Sequence, residues 1–333
     1  MPQTLTIGVL GAAKISPKAL LQPALDTNDV EVRAVAARDR ARAEAQAREF
    51  DIAQVLDSYE QVLESDVDAI YNPLPIHLHR EWTIRALRAG KHVLCEKPFA
   101  CNAAEAAEMV AVADETGKVL MEAFHWRYHP LAARVRAILD RGEVGMIESI
   151  DAAFTVAIDP ADDVRHAFEL GGGALMDLGC YPVQWVRFVA DAEPTVTAAT
   201  MREGRPKVDV VTDIDLAIAR GEGEAPIRGH IHTAMDAQAR FASHLEVRGS
   251  EGVLRVENPL APHSGHELRV TPKRGDARTE TVDGRTTYHH QLEAFRDAVL
   301  RGAALPTGGE DAIATMRFID AAYEAAGLPR RGT

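Results

Sequence analysis

The chain has 333 residues, of which 46% are hydrophobic and 26% are charged. This length exceeds what one hydrophobic core usually supports, so we expect two domains of globular rather than disordered composition. A formal net charge of −13, with no basic run that contains aromatic residues, argues against nucleic acid as a partner.

The amino-terminal residues 1–4 lead directly into an apolar strand and carry no secretory signal. No apolar run approaches the ~20 residues that a membrane-spanning helix requires. The three cysteines, Cys95, Cys101 and Cys180, show neither a disulfide framework nor a zinc-type spacing. We therefore expect a cytoplasmic protein with reduced thiols and no membrane partner.

Strands alternate with helices up to residue 124. The apolar pattern predicts strands over residues 5–10, 30–37, 69–72, 92–95 and 119–123, and helices that begin near Pro17 and cover residues 40–50, 80–89 and 103–116. This alternation is typical of a doubly wound parallel sheet, an α/β fold whose ligands bind beyond the carboxyl ends of the strands.

The pattern changes after residue 124. Longer alternating runs predict strands over residues 147–158, 195–201, 213–219, 227–233, 243–248, 252–256 and 267–270, with helices over 131–139, 288–301 and 310–326. Such runs indicate an antiparallel sheet with one dry face and one face that is partly exposed or paired with another copy. We assign a cofactor-binding domain to residues 1–124 and a substrate-binding and oligomerisation domain to residues 125–333.

The turn after the first strand has the sequence GAAKIS over residues 11–16. It stands in the place of a G-x-G-x-x-G turn, with Ala13 and Ser16 replacing two glycines. A strand precedes it and a helix follows, so the helix amino terminus could hold a pyrophosphate. An ordinary tight turn is the alternative interpretation.

The second strand ends in Ala37, Arg38 and Asp39. A carboxylate at this position holds the ribose of NAD, whereas an arginine accommodates the 2′-phosphate of NADP. If Ala37 occupies the discriminating position, Arg38 is available for the phosphate and NADP is favoured. In the other register Asp39 is the ribose ligand, and a solvated Arg38 is a further alternative.

The third strand leads into two prolines and then into His77 and His79. Two imidazoles two residues apart suggest a metal pair, but zinc usually takes three or four protein ligands and no further ligand cluster accompanies them, so we predict no metal. His79 at the start of the next helix is the better functional candidate. Helix capping or packing remains an equal alternative for both histidines.

The fourth strand delivers Glu96, Lys97 and Pro98 to its carboxyl end. Because proline cannot extend the ladder of a sheet, Lys97 is a cation held at a fixed place, which suggests a catalytic role. The alternative is a solvated strand-end lysine paired with Glu96.

A glycine-rich segment, GGGALMDLGCYP, covers residues 171–182. If the chain is already helical at Asp177, then Asp177, Tyr181 and Gln184 share one face; otherwise the helix begins near Gly179 and Asp177 lies at its mouth. In either geometry an acid and a phenol converge, and a lysine ammonium such as Lys97 could lower the pKa of the phenol. A loop with a capping aspartate and a core tyrosine is the alternative.

An aromatic and basic run follows the last parallel strand. We predict that His125, Trp126 and Arg127 contact a polyhydroxylated ligand; the alternative is that residues of this run pack between the domains.

Three segments resemble the Gfo/Idh/MocA oxidoreductase family: residues 8–15 (GVLGAAKI), 89–98 (AGKHVLCEKP) and 172–181 (GGALMDLGCY). They stand in the family's order and lie in both halves of the chain. The resemblance implies an amino-terminal Rossmann domain and a carboxyl-terminal α/β domain with a large, open, mostly antiparallel sheet.

The resemblance also implies roles for single residues. Lys97 matches the family's lysine beside the nicotinamide, and residues 177–181 match a D-x-G-x-H motif with Tyr181 in place of the histidine. This departure is similar to the branch that contains glucose-fructose oxidoreductase, NADP-dependent xylose dehydrogenases and dimeric dihydrodiol dehydrogenases, in which the tyrosine is the proposed acid/base. Gln184 stands where many members carry an acid, which argues against inositol-dehydrogenase-like chemistry.

Ala37 and Arg38 resemble the Ser-Arg pair of NADP-using members, so the predicted cofactor is NADP, with NAD as the alternative. The predicted cofactor-binding residues are Gly11, Ala13, Lys14, Ile15, Arg38, Pro73, His79 and Glu96.

These features together predict reversible hydride transfer between NADP(H) and a carbinol carbon of a sugar, sugar derivative, polyol or cyclic trans-diol. Tyr181 exchanges the hydroxyl proton, Lys97 lowers the pKa of that tyrosine and binds the substrate oxygen, and Asp177 orients substrate or tyrosine. The alternatives are a non-catalytic NADP-binding sensor or regulator and a reductase of an unsaturated bond. The outer face of the second sheet resembles the family's dimer surface, which implies a homodimer or larger homo-oligomer.

Overall fold

The computed structural model describes residues 4–161, 163–221 and 223–332. The strands of these residues are β1 Leu5–Leu10, β2 Val30–Ala36, β3 Gln54–Val55, β4 Ala69–Asn72, β5 His92–Cys95, β6 Leu120–Glu122, β7 Ile147–Thr155, β8 Thr195–Arg205, β9 Val208–Ile218, β10 Ile227–Ala234, β11 Ala242–Gly249, β12 Gly252–Glu257, β13 Glu267–Pro272 and β14 Arg278–Glu280. The α-helices are α1 Gln22–Leu25, α2 Arg40–Glu49, α3 Tyr59–Glu64, α4 His79–Arg88, α5 Ala103–Thr116, α6 Pro130–Asp140, α7 Cys180–Ala190, α8 Thr287–Arg301 and α9 Glu310–Ala325.

The predicted fold class is confirmed. Strands β1–β6 form a parallel sheet in the order β3-β2-β1-β4-β5-β6, and β7–β14 form a mostly antiparallel sheet in the order β14-β13-β12-β11-β7-β10-β9-β8. Every predicted element overlaps an observed one. Strands β3 and β14 and helix α3 were not predicted, because none of them is longer than six residues and so none shows a periodic apolar pattern.

One compact unit contains the chain up to Tyr128 together with Thr287–Ile313. Its strand order turns from one direction to the other between β1 and β4. In doubly wound sheets, ligands bind beyond the carboxyl ends of the strands at this kind of switch point. The topology therefore marks the ends of β1 and β4 as the region where a ligand site is expected.

Helix α8, which is distant in sequence, completes the core of this unit. Tyr288, Leu292 and Phe295 belong to the same hydrophobic cluster as Ile7 of β1 and Leu94 of β5. Full burial of a side chain such as Phe295 contributes about 1.5–3 kcal/mol, so α8 is part of the core and not a surface addition. The assignment of functional domains on either side of residue 124 remains a prediction, whereas compactness groups Thr287–Ile313 with the first unit.

Helix α5 has the bounds that the sequence predicts because local residues fix both ends. The Asn102 side chain accepts a hydrogen bond from the amide of Glu105 at 3.0 Å, and the Glu105 carboxylate accepts one from the amide of Cys101 at 3.0 Å. Gly117 ends the helix in the left-handed conformation, with φ of 62°. A capping box and a carboxyl-terminal glycine involve only neighbouring residues, so both can be recognised in the sequence.

The second compact unit contains His129–Thr286 and the chain from Ala314 onward. Helix α7 packs on β7, β10 and β11, and α6 packs on α7. One face of the eight-stranded sheet is thus covered within the unit. The side chains of the other face alternate with buried ones along β9–β12, and most of them are half-buried or exposed.

Within the described ranges, no helix has the length and apolar character that crossing a membrane would require. Residues 1–3, part of the segment expected to carry no secretory signal, lie outside the described residues.

Candidate active site

The turn between β1 and the following helical segment leaves several backbone donors without acceptors. Gly11 has φ of +88°, a conformation that favours glycine, and its amide donates to Ala36 at 2.6 Å. Among the described residues, none accepts a hydrogen bond from the amides of residues 12–15. The hydroxyl of Ser16 is fully buried and also lacks a partner there. A group with several acceptor oxygens, such as a pyrophosphate, would satisfy these donors.

The predicted ligands Lys14 and Ile15 of this turn have different surroundings. Lys14 is exposed, whereas Ile15 packs against the hydrophobic cluster of the first unit. Ala13 is half-buried, and its carbonyl accepts a hydrogen bond from the Gln46 side chain at 3.3 Å. The backbone of Ala13 is thus fixed from α2, and contact of these residues with a cofactor remains a prediction.

Arg38 and Asp39, which follow β2, differ in their local contacts. Arg38 is exposed, whereas the Asp39 carboxylate accepts a hydrogen bond from the amide of Arg42 at 3.3 Å and so caps α2. Capping engages Asp39 locally and leaves the Arg38 side chain at the surface beside the turn. The arrangement suits the NADP register better than the register with Asp39 as a ribose ligand.

Tyr59, which was not among the predicted site residues, lies next to this turn. A Cβ atom placed on Gly11 would lie 3.7 Å from the Tyr59 hydroxyl. Burial raises the pKa of Tyr59, and the nearby Arg38 partly opposes this. The spacing of Ser58 and Gln61 is the sequence signal that could have predicted the start of α3, at Tyr59. Ser58 caps α3, and the Gln61 side chain accepts a hydrogen bond from the amide of Asp57 at 2.9 Å.

His79 is buried and forms hydrogen bonds with the loops that follow β4 and β5. Its Nε2 lies 2.7 Å from the Leu74 carbonyl after β4, and its Nδ1 lies 3.0 Å from the Pro98 carbonyl after β5. Burial lowers the pKa of His79 to about 4, so the ring is neutral at pH 7 and donates to one of the two carbonyls. The structure thus gives His79 a positioning role. Direct cofactor contact by His79, or by the neighbouring buried Pro73, remains a prediction.

Glu96 and Lys97 follow β5 at the carboxyl edge of the sheet. The Tyr71 hydroxyl donates to Glu96 Oε1 at 2.7 Å, and the Lys97 amide donates to Glu96 Oε2 at 3.3 Å. Burial, with the Glu96 charge added, raises the pKa of Tyr71 well above its usual range, so Tyr71 is a neutral donor that orients Glu96. The same two causes raise the pKa of Tyr288, which lies at the start of α8. Neither tyrosine was among the predicted site residues.

His125 and Trp126, predicted to bind substrate, are 3% and 4% exposed. The His125 ring lies 4.1 Å from the Tyr288 ring, and its Nδ1 lies 2.8 Å from the hydroxyl of Thr287. His125 therefore joins the loop after β6 to α8. Arg127 is half-exposed, and substrate contact by this run remains a prediction.

In the second unit, the helix preceding α7 already includes Asp177. A wide π-helical turn covers Leu175–Gly179 and continues into α7. Of the two predicted geometries, the chain therefore adopts the one that is helical at Asp177. Pro182 follows this π-helical turn directly, and its ring nitrogen carries no N–H that could donate to a carbonyl of the turn.

The Tyr181 ring is 5% exposed and lies among other aromatic rings. It contacts Phe154 edge-on at 5.8 Å and Trp185 at 6.3 Å between ring centroids. The nearby Gln184 is buried and donates to the Thr315 hydroxyl at 2.7 Å, which gives it a structural role.

A buried network fixes the glycine-rich segment. Asp209 accepts a hydrogen bond from the Leu175 amide at 2.7 Å, and Arg331 donates to the Gly172 carbonyl at 2.6 Å. Arg331 and Asp209 are themselves 2.8 Å apart. A side chain on Gly173 would collide with both of them, which is the reason for glycine there. The charges thus hold the backbone immediately before Asp177.

In the part of the chain that the structure describes, no group of three or more histidine, cysteine or acidic residues could hold a metal ion.

Two family models match the chain. The GFO/IDH/MocA model described as "Oxidoreductase family, NAD-binding Rossmann fold" matches residues 5–124. The model described as "GFO/IDH/MocA C-terminal domain" matches residues 132–255. The matches cover both halves of the chain and confirm the resemblance seen in its motifs.

Individual relatives match almost the whole chain. A D-xylose 1-dehydrogenase (NADP(+)) 2 from Haloferax volcanii is 36% identical over 96% of both chains. A dTDP-3,4-didehydro-2,6-dideoxy-alpha-D-glucose 3-reductase from Streptomyces violaceoruber is 35% identical over 98% of this chain and 96% of its own. The solved structure of a 3-ketoreductase from Actinomadura kijaniata, in complex with NADP and TDP-benzene, has a TM-score of 0.88 and 31% identity and covers 97% of this chain and 98% of its own.

Proposed function

The chain belongs to the Gfo/Idh/MocA oxidoreductase family, and on that premise we propose that it transfers a hydride between NADP(H) and a carbinol or carbonyl carbon of a sugar, sugar derivative, polyol or cyclic trans-diol. The observation that carries the proposal is the turn at residues 11–16, whose unpaired amides lie at the end of β1 beside the switch point of the sheet. Relatives named as an NADP(+) xylose dehydrogenase and a sugar-nucleotide reductase support the substrate class.

The residues at the end of β1 and β2 fit NADP. The amides of residues 12–15 and the buried Ser16 hydroxyl would hold the pyrophosphate, and Arg38 would hold the 2′-phosphate. NADP(H), when bound, accepts or supplies the hydride at C4 of the nicotinamide.

The protein's own residues would handle the proton and the orientation of substrate. We assign Tyr181 as the acid/base, whose phenolate oxygen takes the hydroxyl proton during oxidation and returns it during reduction. Lys97 supplies the positive charge that favours the phenolate and binds the substrate oxygen. Asp177 accepts a hydrogen bond from the substrate and orients it.

The test is a turnover screen with NADP+ and with NAD+ over aldoses, polyols and trans-diols, followed by NADPH with keto-sugars. We expect NADP+-dependent oxidation of at least one member of the panel. Binding of NADP without turnover of any member would contradict the enzymatic proposal and favour a sensor instead. Product analysis would identify reduction of an unsaturated bond.

Cofactor preference is expected to depend on Arg38. Replacing Arg38 with Glu should raise KM for NADP+ by about 10- to 100-fold, because one charge-assisted contact to a phosphate is worth about 1.5–3 kcal/mol. Steady-state kinetics with both cofactors measures the change. Arg48→Glu, on the exposed end of α2, is the control with the same change in charge. Equal effects on NADP+ and NAD+ would contradict the assignment.

We also propose that the exposed face of the eight-stranded sheet forms a homodimer. Residues in register across six strands carry acids at one end of a row and arginines at the other. A two-fold related copy could set the acidic end against the basic end. The row consists of Asp215, His230, Asp151, Glu246, Arg255 and Arg269.

Light scattering coupled to gel filtration tests this surface. We expect a dimer mass for the wild type and at least a tenfold weaker dimer for the double variant Arg255→Glu/Arg269→Glu, because reversal of the basic end creates like-charge contacts. Arg48→Glu, in the first unit, is the control. A monomer mass for the wild type at working concentrations would refute the proposal.

We further propose a cytoplasmic location. No disulfide joins cysteines in the described chain, which suits a reducing compartment. Cell fractionation tests this, and recovery of the protein with a secreted or periplasmic fraction would contradict it.

A further inference from the structure

Arg165 lies between two carboxylates in the second unit. Its Nε donates to Asp177 Oδ2 at 2.6 Å, and its Nη1 contacts both carboxylate oxygens of Asp163 at 3.1 and 3.2 Å. The amide of Arg165 also donates to Asp163 Oδ1 at 2.9 Å. Asp163 therefore fixes both the backbone and the side chain of Arg165, and Arg165 in turn fixes Asp177.

The Nη2 group of this guanidinium has no acceptor among the residues that the structure describes. An arginine has five N–H donors, and the contacts above involve only Nε and Nη1. Of the residues that the structure describes, none accepts a hydrogen bond from Nη2. The Arg165 side chain is 40% exposed, whereas that of Asp177 is 13% exposed. A small ligand could thus reach Nη2 directly beside the Asp177 carboxylate.

The planar shape of the guanidinium sets the geometry of such a ligand. Nε and Nη2 share one edge of the plane, which is the edge that binds carboxylates in bidentate pairs. Asp177 occupies the Nε position of this edge. An oxygen bound to Nη2 would consequently lie next to the Asp177 carboxylate, which can accept a hydrogen bond from a second oxygen of the same ligand.

The charge of the cluster decides which oxygens fit. The Asp177 and Asp163 carboxylates raise the pKa of Arg165, so the side chain is a permanent cation. Two carboxylates and one guanidinium leave a net charge of −1, which disfavours a carboxylate or phosphate at Nη2. Neutral hydroxyl or carbonyl oxygens are the suitable ligands.

We propose that Asp177 and Arg165 form a recognition pair for two adjacent neutral oxygens, as in a vicinal diol or an α-hydroxy ketone. Asp177 accepts from the hydroxyl on one carbon, and Arg165 Nη2 donates to the oxygen on the next carbon. Arg165 is thus a specificity residue for the substrate. This inference rests on the proposed function, in which Asp177 orients the substrate.

Two pairs of probes test the inference. Each pair matches a vicinal diol with its deoxy analogue: trans-cyclohexane-1,2-diol with cyclohexanol, and D-xylose with 2-deoxy-D-xylose. We expect the wild type to favour the diol in kcat/KM. Arg165→Met should lower kcat/KM for both members, because Arg165 also fixes Asp177. The loss should be about 10- to 100-fold larger for the diol than for the deoxy analogue, because only the diol loses a charge-assisted hydrogen bond. The ratio between the two members should therefore collapse.

Matched variants separate recognition from folding. Arg205→Met removes another arginine that donates to this segment, through the carbonyls of Pro160 and His166, and should leave the diol preference unchanged. Arg165→Lys keeps the charge but not the planar fork, and should restore only part of the preference. Thermal shifts of the NADPH-loaded protein with each probe give a second readout that does not require turnover.

An equal loss of activity on both members of a pair would overturn the recognition role, since a merely structural role predicts that result. A wild type that neither binds nor oxidises the diols better than the deoxy analogues would also overturn it. If the wild type turns over NADP(H) with other alcohols, only this inference fails. If the wild type binds no NADP, the proposed function itself is refuted, and the inference that rests on it is refuted with it.

Discussion

Replacement of Lys97 with methionine is expected to lower kcat by about 10²- to 10³-fold, with the dissociation constant for NADP+ changed by less than threefold. A fixed positive charge that acts on a developing oxyanion typically contributes this much to the rate. Methionine keeps an unbranched side chain as far as Cε and removes the ammonium group. Steady-state kinetics gives kcat, and quenching of protein fluorescence gives the affinity for NADP+.

Tyr181→Phe is the companion variant, with an expected loss of about 10²- to 10⁴-fold because general acid–base catalysis contributes that range. If Lys97 and Tyr181 act as one unit, the double variant loses little more than the worse single variant. Lys118→Met, on the loop before β6 at the opposite end of the sheet, is the control. Normal turnover by Lys97→Met would refute its catalytic assignment.

The second large effect concerns stability and involves Arg331. Arg331→Met is expected to lower the free energy of unfolding by about 3–5 kcal/mol, the usual cost of removing one partner of a buried ion pair. Arg331 and Asp209 are both 0% exposed, so the variant leaves a buried carboxylate without its counter-charge. Urea unfolding, followed by circular dichroism, measures the loss.

The hydrogen-bond partners of Asp209 explain why replacing its carboxylate with a neutral amide should restore stability to the Arg331→Met variant. The Tyr323 hydroxyl donates to Asp209 at 2.8 Å and the Thr212 hydroxyl at 2.9 Å. Burial, together with the Asp209 charge, raises the pKa of Tyr323 well above its usual range, so these are neutral donors that cannot replace the guanidinium. Asp209→Asn in the Arg331→Met background should recover part of the stability, because it removes the uncompensated charge.

Arg330→Met provides the matched control, since Arg330 is the adjacent residue and forms an exposed ion pair with Glu324. Exposed pairs contribute about 0–1 kcal/mol. Equal destabilisation by the Arg330 and Arg331 variants would contradict the role of the buried pair. Kinetics of the Arg331→Met protein that remains folded should show reduced kcat, because Arg331 holds the backbone that leads to Asp177.

The sequence was informative where the determining contacts are local. The bounds of α5 follow from Asn102, Glu105 and Gly117, which lie within the helix or directly next to its ends. The alternation of short apolar runs with helices predicted the parallel sheet. The glycine at residue 11 indicated the turn after the first strand. Capping, periodicity and turn formation act over about four residues, so they can be read without knowing the fold.

The sequence was ambiguous where one local pattern fits two environments. His79 at a helix start suits a cofactor ligand or a packing residue, and the structure places both of its ring nitrogens against backbone carbonyls. Helix α8 has an ordinary amphipathic pattern that does not tell which core it joins. Short elements such as α3 gave no periodic signal, which is why Tyr59 was missed.

The sequence by itself determined the fold class, the family, and Lys97, Asp177 and Tyr181 as the residues of interest, because each depends on short motifs and repeating patterns. Only the tertiary structure decided that Arg165 holds Asp177 and that Arg331 pairs with Asp209, residues 122 positions apart. With 37 basic and 50 acidic residues in the chain, sequence alone offers far too many pairs to choose among. The choice is made by topology, which brings distant segments together and buries the charges that pair.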